Sequence, residues 1–226
     1  MTTRIQRRNR HLILDAALDV FSAHGFRGAT LDQIAEQAGL SKPNLLYYFD
    51  SKEAIHATLL TDLLDTWLDP LRALDPAGDP QAEIMAYMRR KLQMSRDFPR
   101  ESRLFANEIL QGAPRIETFI RTDLRALVDD RAALLQRWAT EGRIATVDPY
   151  HLIFSIWALT QHYADFDAQI RMIRGDGHDP LEGADTFLTA LYARLISPAP
   201  HACGTDAGPI LPGPLPVSSV HKYPRG

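Results

Sequence analysis

The stretch Thr30-Leu31-Asp32-Gln33-Ile34-Ala35-Glu36-Gln37-Ala38-Gly39-Leu40-Ser41-Lys42-Pro43-Asn44-Leu45-Leu46-Tyr47-Tyr48-Phe49-Asp50-Ser51-Lys52-Glu53 contains three helix starts in close succession. Thr30 to Gln33 has the form of a capping box, a hydroxyl that accepts from an amide one turn on and a glutamine that reaches back. Ile34, Ala35 and Ala38 give this helix a small apolar face, and Gly39 ends it. Ser41 caps a third helix whose first turn tolerates Pro43, because that amide has no intrahelical partner anyway. Asp50-Ser51 breaks the chain, and Lys52-Glu53 opens a long fourth helix that runs to about Leu74. A helix, a glycine turn and a short helix make the helix-turn-helix arrangement, in which the second helix enters the major groove while the first crosses the backbone. An ordinary helical corner with surface tyrosines has the same spacing, so both readings stand on the pattern alone.

Upstream, Ile13, Ala16, Ala17, Val20 and Phe21 share one helical face and Gly25 follows as a stop, predicting a first helix over about residues 8–24. Downstream of Asp75-Pro76-Ala77-Gly78-Asp79-Pro80, longer helices are predicted over about 80–97, 100–111, 114–142, 149–172 and 180–196, with Pro and Gly between them. The prediction is an all-α chain. A basic arm and three-helix helix-turn-helix domain occupy residues 1–51, and a helical-bundle ligand-binding and dimerisation domain occupies 52–196. From Ser197 onward seven prolines and four glycines in thirty residues predict a disordered tail over 197–226, to which no function is assigned.

With 45% hydrophobic and 23% charged residues and a formal net charge of -3, the chain of 226 residues has an ordinary globular balance. No apolar run approaches the roughly 18 residues that cross a bilayer, and the first ten residues lack the apolar centre of a secretory signal. A cytoplasmic protein with no membrane partner is expected. The single cysteine, Cys203, closes no intramolecular disulfide and supplies no cysteine metal cluster. The acidic total hides an asymmetry. Residues 1–60 carry seven Lys/Arg against six Asp/Glu, or +1, and the remainder 18 against 22, or -4, with Arg4, Arg7, Arg8 and Arg10 crowding the start. Attraction to a phosphate backbone depends on charge within a Debye length of about 8–10 Å, so a basic arm serves DNA despite an acidic sum; a merely solubilising end is the other reading. In the helix pair, Lys42, Asn44, Tyr47 and Tyr48 offer a polar reading face, and Thr30, Ser41 and Lys52 offer donors to phosphates.

The run FSAHGFRGATLDQIAEQAGLSKPNLLYYFDSKEAI, within Leu14 to Leu60, resembles the DNA-binding domain of the tetracycline-repressor (TetR) family. Phe21, Gly25, Thr30, Ile34, Ala35, Gly39, Ser41, Tyr48, Phe49 and Lys52-Glu53 match together. The resemblance implies base-edge roles for Lys42, Pro43 and Asn44, and phosphate roles for Thr30, Ser41, Tyr48 and Lys52. Leu46 departs from the pattern, since family members commonly carry an aromatic there. WLDPLRAL, MRRKLQMSRDFPRESRLFANEILQGAP and DPYHLIFSIWALTQHYADF resemble the effector domain of the pyrimidine-utilisation (RutR-type) regulators, dimeric TetR-family proteins that bind uracil or thymine. This likeness covers most of residues 10–173. It implies a homodimer on a near-palindromic operator of double-stranded DNA, released when uracil or thymine binds; a TetR-family repressor answering to another small molecule is the alternative.

Uracil is flat and sets ring N–H donors beside carbonyl acceptors, so its site needs an aromatic plane and a side chain that both gives and accepts. Trp67 supplies the plane and the Gln161 carboxamide the pair. By position alone, Trp67 also reads as a core residue beside Leu60, Leu63, Leu64 and Leu71, and Gln161 as an exposed or backbone-paired amide. Tyr163 and Glu108 are further candidates. The last two helices, with Leu152, Ile156, Phe187, Leu191, Tyr192 and Leu195, are expected to form a four-helix dimer interface. No nucleophile elbow, His-Glu-x-x-His, phosphate loop or paired Glu-x-x-His motif is present. Asp148 with His151, and His162 with Asp165, stand one helical turn apart and can be drawn as metal ligands, but helix-start aspartates and solvated histidines account for them. No enzyme activity, metal or cofactor is expected, and a non-DNA-binding helical scaffold is the remaining class.

Overall fold

The computed structural model describes residues 4–198. Its helices in chain order are α1 (Arg4–Gly28), α2 (Leu31–Gln37), α3 (Lys42–Tyr48), α4 (Lys52–Arg72), α5 (Pro80–Asp97), α6 (Pro99–Leu110), α7 (Glu117–Phe119), a π-helical turn (Ile120–Leu124), α8 (Arg125–Thr140), α9 (Pro149–Asp165), α10 (Asp167–Arg174) and α11 (Ala184–Ile196), with no strand among the described residues. The local signals account for most starts. Thr30 and Gln33 form the full capping box, with Gln33 N donating to Thr30 Oγ1 at 3.2 Å and Thr30 N to Gln33 Oε1 at 2.8 Å. Ser41 and Ser51 cap α3 and α4, and Asp79 and Asp148 cap α5 and α9 ahead of Pro80 and Pro149. Such caps contribute about 1 kcal/mol each.

Four boundaries differ from the sequence reading. α1 begins by Arg4 rather than residue 8, because its first turns are held on α3: Gln6 Nε2 donates to Tyr47 Oη at 3.2 Å and Asn9 Nδ2 to Tyr48 Oη at 3.0 Å. The basic arm from Arg4 onward is therefore helical. At Gly25 the backbone turns through φ 66°, which closes the regular helix where the glycine stop was expected. The helix expected over 114–142 starts at Glu117 and carries the π-helical turn in its first half. The one expected over 149–172 breaks at Phe166, whose ring stacks on His162, and Asp167 opens a new turn by pairing with Arg171. The last helix starts at Ala184, after Gly183 at φ 76°. The predicted tail lies outside the described residues beyond 198.

Two cores organise the chain. The first joins Ile13, Ala17 and Phe21 of α1, Ile34 of α2 and Leu45 of α3 with Ile55, Leu60 and Leu64 of α4 and Leu104 of α6. The second packs α5, α8, α9 and α11 around Met88, Trp138, Ile153, Leu188 and Tyr192. The first turns of α4, through Ile55 and Leu60, belong to the core of the small unit. One helix is shared by both halves, so a displacement of α4 is felt in each.

Candidate functional site

At the small unit's surface, Lys42, Pro43 and Asn44 begin α3 and are exposed, while Leu45 on the opposite side is buried in the core. The N-terminal face of α3 is therefore presented to solvent by a helix anchored through Leu45 and Phe49. Lys42 Nζ makes an exposed ion pair with Asp32 at 2.9 Å. Such a pair contributes little to stability and is readily exchanged for a phosphate or base. Tyr47 is exposed and meets Tyr48 edge-on, with ring centroids 5.1 Å apart. Leu46 is also exposed, an aliphatic on the reading face.

Lys52 has a structural task that its sequence position did not disclose. Its Nζ donates to the carbonyls of Phe26 at 2.8 Å and Ala29 at 2.7 Å, closing the end of α1, and lies 4.3 Å from the Phe26 ring centroid. Its third donor makes no hydrogen bond among the described residues. The other face of the story is Arg115, whose guanidinium lies 3.4 Å from the same centroid. Arg115 is held by Glu108, whose carboxylate accepts from Arg115 N at 2.7 Å and from Nη1 at 2.9 Å. Gly112 and Ala113, at φ 88° and 56°, turn the chain back so that this is possible. Phe26 is thus gripped by one cation from α4 and one held by α6. His56 is packed beside it, 5.0 Å from Phe26 and 4.8 Å from Phe21, with Nδ1 unpaired; burial pulls its pKa down to about 4.

Between the cores lies a cavity of about 30 Å³ lined by Leu63, Leu64, Trp67 and Leu68 of α4, Lys91 of α5, Phe105 of α6, Leu124 of the π-helical turn, and Trp157 and Gln161 of α9. The two principal ligand candidates, Trp67 and Gln161, meet here although 94 residues apart in sequence. Trp67 is 7% exposed and its indole N–H has no acceptor, whereas the indole N–H of Trp157 donates to Tyr87 Oη. The Gln161 carboxamide makes no hydrogen bond among the described residues. An unpaired buried donor costs about 1–3 kcal/mol, a penalty that the Trp67 N–H carries in an otherwise mostly apolar lining.

Tyr163 and Glu108 lie elsewhere. Tyr163 lines a separate cleft with Arg103, Asp167 and Arg171, because it sits two residues beyond Gln161 and so on a different face of α9. Glu108 belongs to the Arg115 junction just described. Lys91 was missed, yet a signal existed: Ile84, Tyr87, Met88, Lys91, Leu92 and Ser95 follow the 3-4 spacing of one buried helix face. A lysine in register with an apolar stripe is either snorkelling or placed for a purpose. Among the dimer candidates, Leu152, Ile156 and Tyr192 are buried in their own bundle, while Phe187, Leu191 and Leu195 form an exposed stripe on α11 and Tyr150 and Phe154 another on α9. Asp148 caps α9 and Asp165 accepts from Ser102 Oγ at 2.6 Å, which explains both without a metal. No helix among the described residues is long and apolar enough to cross a membrane.

Residues 13–58 match the family described as bacterial regulatory proteins, tetR family, and residues 60–199 match the YcdC-like protein, C-terminal region. The HTH-type transcriptional regulator RutR of Escherichia coli (strain K12) and that of Shigella flexneri are each 53% identical over 163 residues, 72% of this chain and 77% of theirs. The fold is shared with a TetR-like transcriptional regulator from Rhodococcus sp. RHA1 (TM-score 0.61, 22% identity, 82% of this chain and 94% of that one). It is shared too with AibR, solved in complex with isovaleryl coenzyme A and operator DNA (TM-score 0.64, 19% identity, 84% and 100%). These relatives are regulators, not enzymes. The chain belongs to the TetR family of transcriptional regulators, alongside RutR.

Proposed function

We propose that this regulator acts in the cytoplasm as a homodimeric repressor on a near-palindromic operator, and that uracil or thymine in the cavity between its cores lowers its affinity for DNA. The observation that carries the reading is the meeting of Trp67 and Gln161 in one cavity, the indole N–H and the carboxamide each without a hydrogen-bond partner among the described residues. An amide that donates and accepts side by side matches the adjacent N–H and C=O of a pyrimidine-dione. On the DNA side, Lys42, Pro43 and Asn44 take base edges, Thr30, Ser41, Tyr48 and the third donor of Lys52 take phosphates, and Tyr47 flanks them. Dimerisation uses the exposed stripes Phe187-Leu191-Leu195 and Tyr150-Phe154, so that two reading helices reach successive major grooves.

The cavity holds no more than two or three waters at about 10–15 Å³ each. A pyrimidine enters only if side chains or helices shift, and α4 forms the largest share of the wall. Ligand occupancy therefore favours a state in which α4 is displaced, and α4 begins at Lys52 beside the reading helix. Typical coupling of this kind is about 1–3 kcal/mol, or 5- to 150-fold in DNA affinity. The test is a fluorescence-anisotropy titration of operator DNA with and without saturating uracil or thymine, with adenine as control. An unchanged operator affinity with both pyrimidines refutes the reading. A small carboxylate that releases DNA where the pyrimidines do not would instead establish a different effector.

A further inference from the structure

Lys91 enters the effector cavity from α5 with only 2% of its surface exposed. Its Nζ lies 4.7 Å from the Trp67 ring centroid. Among the described residues no carboxylate forms an ion pair with it; Asp165 acts through space only, and its carboxylate is engaged by Ser102 Oγ. Burial pulls the Lys91 pKa down to about 7, against a smaller opposing pull from Asp165. Buried lysines are almost always paired, because an ammonium out of water needs acceptors. The residues that share the cavity with it are aliphatic and aromatic apart from one carboxamide, that of Gln161. The indole N–H of Trp67 is a second buried donor without an acceptor among the described residues. The few polar side-chain groups of this lining are thus mostly donors, with the Gln161 carbonyl its side-chain acceptor.

We propose that Lys91 is the specificity-determining residue of this cavity, donating to a ring carbonyl of the effector, so that the site takes dioxopyrimidines and rejects their amino-oxo counterpart, cytosine. The inference rests on the pyrimidine reading above. Uracil and thymine present two carbonyls, the 4-carbonyl for Lys91 and the 2-carbonyl with its adjacent N–H for the amide at Gln161. Cytosine carries an amino group in place of the 4-carbonyl, which sets a donor against the Lys91 ammonium and strands both in a dry site. The methyl of thymine leaves the carbonyls unchanged, so Lys91 does not distinguish it from uracil.

The test is Lys91→Met, which keeps the stem length and packing but removes the charge. Uracil, thymine and cytosine are titrated calorimetrically into wild type and variant, with thermal midpoint and operator affinity measured without ligand. A donor role predicts that wild type prefers uracil over cytosine and that the variant loses uracil affinity on the order of tenfold to a hundredfold. It also predicts that the uracil-to-cytosine ratio collapses while the midpoint holds or rises and operator binding persists, since an unpaired buried charge has been removed. Uracil affinity within twofold of wild type, or an unchanged ratio, overturns the proposal. So does a variant that fails to fold or loses midpoint, because Lys91 would then be serving the packing of Trp67. A wild-type protein that binds neither uracil nor thymine sinks the pyrimidine reading and this inference with it. Wild-type binding with an unaffected variant sinks only the assignment to Lys91.

Discussion

Replacing Glu108 by alanine tests the junction between the two halves more directly than any change at the DNA face. The Glu108 side chain is fully buried, while Arg115 is about a fifth exposed, so the pair sits in a largely dry environment. Its carboxylate accepts one hydrogen bond from a backbone amide and one from a guanidinium. Removal leaves the Arg115 amide and a cation stacked on Phe26 without their acceptor. Breaking a buried pair on one side costs about 3–5 kcal/mol, of which about 1–3 kcal/mol is the stranded amide. Urea unfolding should show this as a lower midpoint at unchanged slope. The double mutant with Arg115→Met should recover part of the loss, because the uncompensated charge is gone; a coupling energy of at least about 1 kcal/mol is expected between neighbours in one network. If Glu108→Ala costs under about 1 kcal/mol, or the two substitutions are additive, Glu108 is not holding Arg115 against Phe26 and the junction is misread.

Three further outcomes are expected. His56 has its pKa lowered to about 4 by burial, so between the unfolded value near 6.5 and about 4 the unfolded chain binds the proton and the folded one does not; the His56 contribution to stability is complete above pH 6.5 and falls as the pH drops. At pH 5 this amounts to about 2 kcal/mol, and acid-dependent urea melts of wild type against His56→Phe should differ by that order. Asn44→Ala should cost about 1–3 kcal/mol in operator affinity and relax sequence preference at one position while leaving the thermal midpoint within about 0.5 kcal/mol, as base-selection assays with mutated operators would show. Phe187→Asp, on the exposed stripe of α11, should convert the dimer to a folded monomer in sedimentation and abolish tight operator binding; a dimer that survives would place the interface elsewhere.

What could be read from the sequence divides by the range of the interactions. Thr30, Ser41 and Ser51 were legible as caps because each acts on an amide three residues away. The Trp67–Gln161 meeting followed from likeness to a family, not from spacing, since nothing local distinguishes either from a core tryptophan or a surface amide. Lys52 was placed on phosphate, and its bonds to Phe26 O and Ala29 O were invisible because those carbonyls lie 26 and 23 residues back. Glu108 was a lesser ligand candidate that could equally serve as an internal hydrogen-bond partner, and Arg115 comes into its reach only through the positive-φ turn at Gly112-Ala113. The breaks at Phe166 and in the π-helical turn leave no proline or glycine to mark them, so periodicity ran through both. Lys91 could have been found by taking the buried stripe of α5 more seriously than the basic run Arg89-Arg90-Lys91 around it.

The coupling proposed between cavity and operator gains its plausibility from the geometry of α4. Trp67 and Lys52 are fifteen residues apart on one helix, a lever of roughly 22 Å at 1.5 Å per residue. Pro70 lies just beyond Trp67 and cannot donate to the carbonyl one turn back, so the helix is weakest at the cavity and regular along the lever. A tilt of about 3° about that weak point moves the Lys52 end by about 1 Å. Hydrogen bonds of about 2.9 Å stretched by that amount are no longer hydrogen bonds. Phe26 is where the displacement is felt, because α4 holds its ring through Lys52 while α6, which also lines the cavity through Phe105, holds it through Glu108 and Arg115. A ligand that wedges α4 from α6 must open this grip or carry Phe26, and with it the end of α1, along. Either way, in the proposed dimer, α3 changes its position relative to its two-fold mate, and an assembly that must fit two grooves at fixed spacing loses both half-sites together.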